Sequence, residues 1–131
     1  MSWNLTDQEY AAVRTLPASA RYEYLVKHVA DEGQLWSLKG PGGWVLGADE
    51  RGRELHPVWP HPRYAQAATL GDWGDAHPEP IEVHEWLDVW TAGMKDTRRR
   101  VAVFPADEAD EAAIEPDDFA RDLQQELDKL E

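Results

Sequence analysis

Cysteine is absent from this chain of 131 residues. Without thiols there can be no disulfide, no thiolate zinc site and no cysteine nucleophile, and a reducing compartment is the natural setting. Also missing is any uninterrupted apolar run approaching the roughly 20 residues that span a bilayer. The opening MSWNLTDQEY has no basic region followed by an apolar stretch, so it reads as neither a secretion signal nor an anchor. The expectation is a soluble cytoplasmic protein with no membrane partner. Basic charge is scarce: 13 Lys and Arg stand against 26 Asp and Glu, a formal net charge of -13. A nucleic-acid backbone needs a basic face to displace its counterions, so no nucleic acid is expected as a partner.

The acid is unevenly placed. From Asp107 to Glu131 there are 11 acidic residues against Arg121 and Lys129, leaving only -4 on the first 106 residues. A run of this kind solvates a helix face, and it also attracts a basic protein surface with a salt-sensitive on-rate.

Catalytic and cofactor motifs are missing as well. Five histidines (His28, His56, His61, His77 and His84) show no metal-ligand spacing, and His84-Glu85 is a lone dipeptide. GPGGWVLG lacks the Lys-Ser ending of a phosphate loop and lies between two strand patterns, so it reads as a hairpin turn. No serine stands in a nucleophile-elbow context. The sequence calls for no cofactor and no metal.

What is present is a helix-then-strand pattern. Thr6 and Glu9 have capping-box spacing, Pro17 ends the first helix, and a second runs from about Ser19 to Glu32 with Gly33 as its stop. Trp36 and Leu38, then Trp44, Leu46 and Ala48, alternate on either side of GPGG, and a second turn at ERGR leads into Glu54 to Trp59. These predict an antiparallel meander, with Pro57 placing the third strand at an edge or making it irregular. Pro62 to Leu70 reads as a short helix, Gly71 to Pro80 as a loop, and Glu82 to Met94 as an amphipathic helix striped by Val83, Leu87, Trp90 and Met94. A strand at Val101 to Phe104, a very short one at Ala113 to Glu115 and a helix from Pro116 to Leu130 complete the chain. The fold class is α+β: an antiparallel β-meander with an additional strand, helices packed on the sheet, in one domain. Arg98, Arg99 and Arg100 read as ion-pair partners of the acidic last helix or as guards of the adjoining strand.

Seven tryptophans are many for a chain of this length. Trp44, Trp86 and Trp90 read as core. The stretch HPVWPHPRYA, His56 to Ala65, holds three prolines that fix φ and stiffen the exit from the third strand. Such a corner either launches the next helix at a set angle or presents Trp59, His61, Arg63 and Tyr64 for recognition without an ordering cost.

Several segments together, RYEYLVKHVAD, LWSLKGPGGWVL, LHPVWPHPRYAQA, EVHEWLDVW, RRVAVFP and EPDDFARDLQQELDKLE, resemble the bacterial domain-of-unknown-function 2750 family. The resemblance covers about Ala18 to Glu131 and is most specific at VWPHPRYA. It implies a small bacterial protein and carries no catalytic residues. The leading functional expectation is a non-catalytic protein-binding module, immunity-protein-like, with Trp59 and Tyr64 as anchors, His61 and Arg63 as polar contacts and a basic protein as partner. The alternative is a small-molecule or regulatory module with a pocket between the sheet and the Trp86/Trp90 helix. Third is an enzyme built on His61, Tyr64 and Arg98.

Overall fold

A computed structural model describes residues 3–69, 73–106 and 112–130. Leu70, and the acids from Asp107 to Glu111 that begin the most acidic stretch, lie outside the described residues.

The first helix, α1 (Asp7–Arg14), starts where the Thr6 hydroxyl accepts the Glu9 amide hydrogen, an N-cap that supplies one of the orphaned first-turn donors with an acceptor. The second, α2 (Ala18–Glu32), stops at Gly33, whose φ of 76° carries the left-handed cap that a side chain would strain. It buries Leu25, Val26, Val29 and Ala30 along one face.

The strands form two small sheets. In one, β1 (Gln34–Gly40) lies between β2 (Gly43–Trp44) and β5 (His77–Glu82), both antiparallel to it. In the other, the order is β3 (Gly47–Ala48), β4 (Glu54–Val58), β6 (Arg100–Val103), β7 (Ala113–Ile114), with β4 and β6 parallel. Both expected hairpins are present, but the meander is divided: β2 pairs with β1 in the first sheet, and β3 with β4 in the second. The sheets are stitched by Trp36 and Trp59, whose backbones exchange two N–H···O=C bonds of 2.8 Å.

Proline placement accounts for two departures from the sequence reading. Most of Gly71 to Pro80 is described, and its end is strand rather than loop: β5 pairs with β1 from Lys39↔His77 to Gln34↔Glu82. Pro78 and Pro80 are tolerated because β5 is an edge, where a missing N–H costs no ladder bond on the open side. Pro57, by contrast, lies in a strand with neighbours on both sides, yet β3 reaches only as far as Leu55. The edge beside Pro57 is thus locally free of ladder bonds.

The helix after β5 is not uniform. It opens as α4 (Val83–Glu85), capped by the Glu82 carboxylate, which accepts the His84 and Glu85 amides. It then widens into a π-helical turn at Trp86–Trp90 and continues as α5 (Thr91–Asp96). One extra residue per turn rotates the apolar stripe. Trp86, expected beside the stripe, is fully buried, while Leu87 and Trp90 are only half-buried and Val89 is 63 % exposed.

The short α3 (Pro62–Ala68) follows the corner, and α6 (Pro116–Asp128) closes the chain with Phe119 and Leu123 in the core and Asp117 and Asp118 in its first turn. The core joins Leu25 and Val29 of α2, Leu35 and Leu38 of β1, Val58 and Val101 of the second sheet, Trp59 and Phe104 just beyond the ends of β4 and β6, and the Phe119 face of α6. No helix among the described residues is long and apolar enough to cross a membrane.

Candidate functional site

At the corner, Pro60 is buried and Pro62 occupies the first turn of α3, where its absent N–H is no loss. His61 is the N-cap: its Nδ1 accepts the Arg63 amide hydrogen at 3.1 Å. The ring is fixed further by a hydrogen bond with the Trp3 backbone.

The four residues expected to form a recognition edge separate here. Trp59 is 0 % exposed, its indole N–H donating to the Pro105 carbonyl at 2.9 Å. Tyr64 is 2 % exposed, packed on Phe104 with ring centroids 4.7 Å apart and on Tyr10 at 5.2 Å. Neither can be a surface anchor, because each polar tip finds its partner inside the protein. Arg63 is committed to α1: it pairs with Asp7 at 2.7 Å and its guanidinium lies 4.0 Å from the Tyr10 ring centroid. Of the four, His61 borders an open cleft.

That cleft has a volume of about 420 Å³ and is walled by Trp3, Trp36, Pro60, His61 and Pro62, with Glu32 and Gln34 at its edge. Gly33 makes this possible: its left-handed turn carries the chain from α2 straight into β1, so Glu32 and Gln34 flank the same reversal. Trp3 stacks on His28 at 4.1 Å with planes 4° apart and meets His61 edge-to-face at 5.0 Å. Trp3 and Trp36 carried no signal of this in the sequence, since the first is brought in by a segment ahead of α1 and the second is half-buried.

Burial lowers both His28 and His61 below the ordinary imidazole range, outweighing Glu9 and Glu32, which act on both rings in the opposite sense. The rings are neutral at pH 7, and Glu32 leaves the cleft with a negative rim. The phenols behind it are no bases. Burial, followed by a hydrogen bond to Glu9, holds Tyr24 well above the usual phenol range, and burial pushes Tyr64 up to about 12. The Tyr24 hydroxyl donates to Glu9 Oε2 at 2.5 Å and lies 3.1 Å from the Tyr64 hydroxyl.

The enzyme constellation is not assembled. Arg98 precedes β6 and its carbonyl accepts from Arg53 Nε at 2.6 Å, whereas His61 follows β4. Because β4 and β6 are parallel, these positions lie at opposite ends of the strands, separated by roughly 15 Å or more. A different serine and histidine do meet: Ser37 Oγ is 3.1 Å from His56 Nε2, but both residues are buried and the hydroxyl donates to the Pro57 carbonyl at 2.7 Å. With its proton so placed, Ser37 accepts from the imidazole, the reverse of the polarity a nucleophile needs.

The expected pocket between sheet and π turn is filled by rings. His56 meets Trp86 at 5.7 Å and Trp90 at 5.1 Å, and Trp44 meets Trp90 at 5.0 Å.

At the far end of β4 and β6 the basic residues are matched by acids. Arg53 forks onto both Glu115 oxygens at 2.9 and 3.0 Å, Arg100 reaches Glu115 at 2.9 Å, Arg99 pairs with Glu54 and Lys95 with Asp117. Two of the three arginines thus serve ion pairs, Arg99 at β4 and Arg100 at the start of α6, while Arg98 contributes its backbone carbonyl. Among the described residues no group of three or more His, Asp or Glu side chains is placed to hold a metal ion.

No curated protein matches this chain. The model of one family, a protein of unknown function (DUF2750), matches residues 22–123, covering most of α2, the Trp36–Trp59 junction, the His61 corner and the first part of α6. With its cleft framed by that matched region and by the Trp3 segment ahead of it, the chain belongs to the DUF2750 family.

Proposed function

We propose that the protein is a non-catalytic binding module that engages a basic protein partner through the cleft between Trp3, Trp36 and His61. One observation carries this: an open, aromatic-walled cleft with an acidic rim, in a chain of net charge -13. Aromatic side chains supply contact area at low entropic cost. The acids toward the C-terminus supply long-range attraction and a fast, salt-sensitive encounter. Neutralisation of a basic toxin domain, in the manner of an immunity protein, is one role such a module fills. The rigid proline corner holds the His61 wall in place, so little ordering is needed on binding.

The test is affinity capture by the tagged full chain from its native cytosol at low and moderate salt, beside a Trp36→Ala variant of unchanged circular dichroism. A stoichiometric basic protein retained by the wild type and lost by the variant is the expected result. Absence of any partner at either salt, or equal capture by the variant, overturns the assignment.

A further inference from the structure

The cleft pairs aromatic walls with an uncommitted anion. Glu32 makes no side-chain hydrogen bond or ion pair among the described residues, and neither does Gln34, although both border the cleft. This contrasts with nearby groups: Asp7 is taken by Arg63 and Glu9 by Tyr24. Two acceptors are therefore left open beside Trp3 and Trp36. No ring contact joins those two indoles within the described residues, so the space between them is not closed by stacking. Pro60 and Pro62 add flat apolar walls.

We infer that this cleft seats a cationic side chain, lysine or arginine, projecting from a basic peptide segment of the partner, with Glu32 as counter-charge and Trp36 as the aromatic face. The inference rests on the binding-module reading above and names the chemistry of its site. A long basic side chain satisfies every group present. Its alkyl stem lies along proline and indole carbon while its charged head keeps polar company. Its N–H groups supply donors to the Glu32 carboxylate and the Gln34 amide oxygen. The positive charge is attracted to the indole face. An anion would meet Glu32 with no lysine or arginine in the cleft lining to offset it, and the Arg63 guanidinium is engaged with Asp7 and Tyr10. A purely apolar ligand would leave the carboxylate without a partner in a narrowing, less polar space. The overall acidity brings a basic segment to this face rather than repelling it.

The experiment titrates the ¹⁵N-labelled full chain with a peptide of alternating lysine and glycine at physiological ionic strength, following the indole N–H signals. Saturable shifts of Trp3 and Trp36, with Trp59 and Trp86 unmoved, are expected. Trp36→Ala is expected to weaken binding about tenfold, and Glu32→Gln about threefold, while Glu50→Gln, a surface acid outside the cleft, changes it by less than about twofold. An arginine–glycine peptide is expected to bind at the same signals. Equal binding of a glutamate–glycine peptide, or equal weakening by Glu50→Gln and Glu32→Gln, overturns the inference in favour of diffuse charge attraction. Tetramethylammonium binding as tightly as the peptide overturns the peptide as occupant and assigns a free small cation. If no basic peptide moves the Trp3 and Trp36 signals, yet capture of a partner is still lost in Trp36→Ala, the cation seat fails and the binding-module reading stands.

Discussion

Ser37 and His56 share one short contact, Oγ to Nε2 at 3.1 Å, deep under the Trp44, Trp86 and Trp90 rings. Burial first, and then the Arg99 charge, lower the His56 pKa to about 4. In the unfolded chain it returns to about 6.5, so the fold binds this proton less readily than the unfolded state does. The stability gained from a neutral His56 is complete above about pH 6.5 and is lost as pH falls toward 4. Chemical denaturation is expected to show a decline of about 3 kcal/mol across that window. A His56→Gln variant, which retains a donor for Ser37, is expected to show a shallower decline between the same pH values. Parallel curves would remove His56 as the cause.

Ser37 itself is expected to be chemically silent. A serine-directed phosphonate reagent should leave the folded protein unlabelled, because the hydroxyl is buried and donates to Pro57. Ser37→Ala leaves the His56 N–H without its acceptor and is expected to cost about 1–3 kcal/mol in urea denaturation. Stoichiometric labelling of Ser37 would contradict the assignment.

Among the described residues Arg21 is the one arginine, lysine or carboxylate side chain in the core, 0 % exposed. Its Nε donates to the Phe104 carbonyl at 3.0 Å and its Nη1 to the Leu16 carbonyl at 2.6 Å. It therefore ties the end of α1 to the exit of β6, where Phe104 takes a left-handed φ of 51°. Arg21→Met is expected to destabilise by about 3 kcal/mol, because the buried bond to the Phe104 carbonyl and the partly buried bond to the Leu16 carbonyl are both lost. A loss under about 1 kcal/mol in thermal and urea denaturation would show that these bonds contribute little.

Trp3 shields two histidines at once. Since burial is the main reason His28 and His61 lie below the ordinary imidazole range, Trp3→Ala is expected to raise both, bringing them nearer to Glu9 and Glu32 in effect. Histidine NMR titration reads this directly. A shift of His28 alone would show that the edge-to-face contact with His61 contributes no shielding.

The charge cluster at Glu115 offers a further check. Its carboxylate serves Arg53 and Arg100 while remaining about half exposed, so solvent screens it. Glu115→Gln is expected to cost only about 1 kcal/mol in urea denaturation, and less at high salt.

The sequence made some of this legible for clear reasons. Thr6 with Glu9, Gly33 after α2, and the Phe119–Leu123 spacing are local signals, and each appears in the fold where the spacing puts it. β5 was hidden because its two prolines are acceptable only to a strand known to be an edge, a fact of sheet order rather than of sequence. The π turn was hidden because Val83, Leu87, Trp90 and Met94 fit a regular helix as well. In the HPVWPHPRYA corner, stiffness was readable and exposure was not. Trp59 and Tyr64 are satisfied by Pro105 and Tyr24, partners 46 and 40 positions away. The cleft depends likewise on three segments distant in sequence, with Trp3, the Glu32–Trp36 stretch and His61 brought together by the fold.

The parallel pairing of β4 with β6 also sets an order of events for the folding chain. Each register pair, from Leu55↔Arg100 to Val58↔Val103, joins residues 45 positions apart, whereas the β1–β2 hairpin closes over a handful. Loop closure must be met before the distant ladder returns any bonds. The hairpins and α2 are therefore available early, and the β4–β6 ladder, with the His61 corner that leaves its end, arrives in the rate-limiting step. Substitutions in that ladder are therefore expected to slow refolding, which stopped-flow kinetics of Val101→Ala would read.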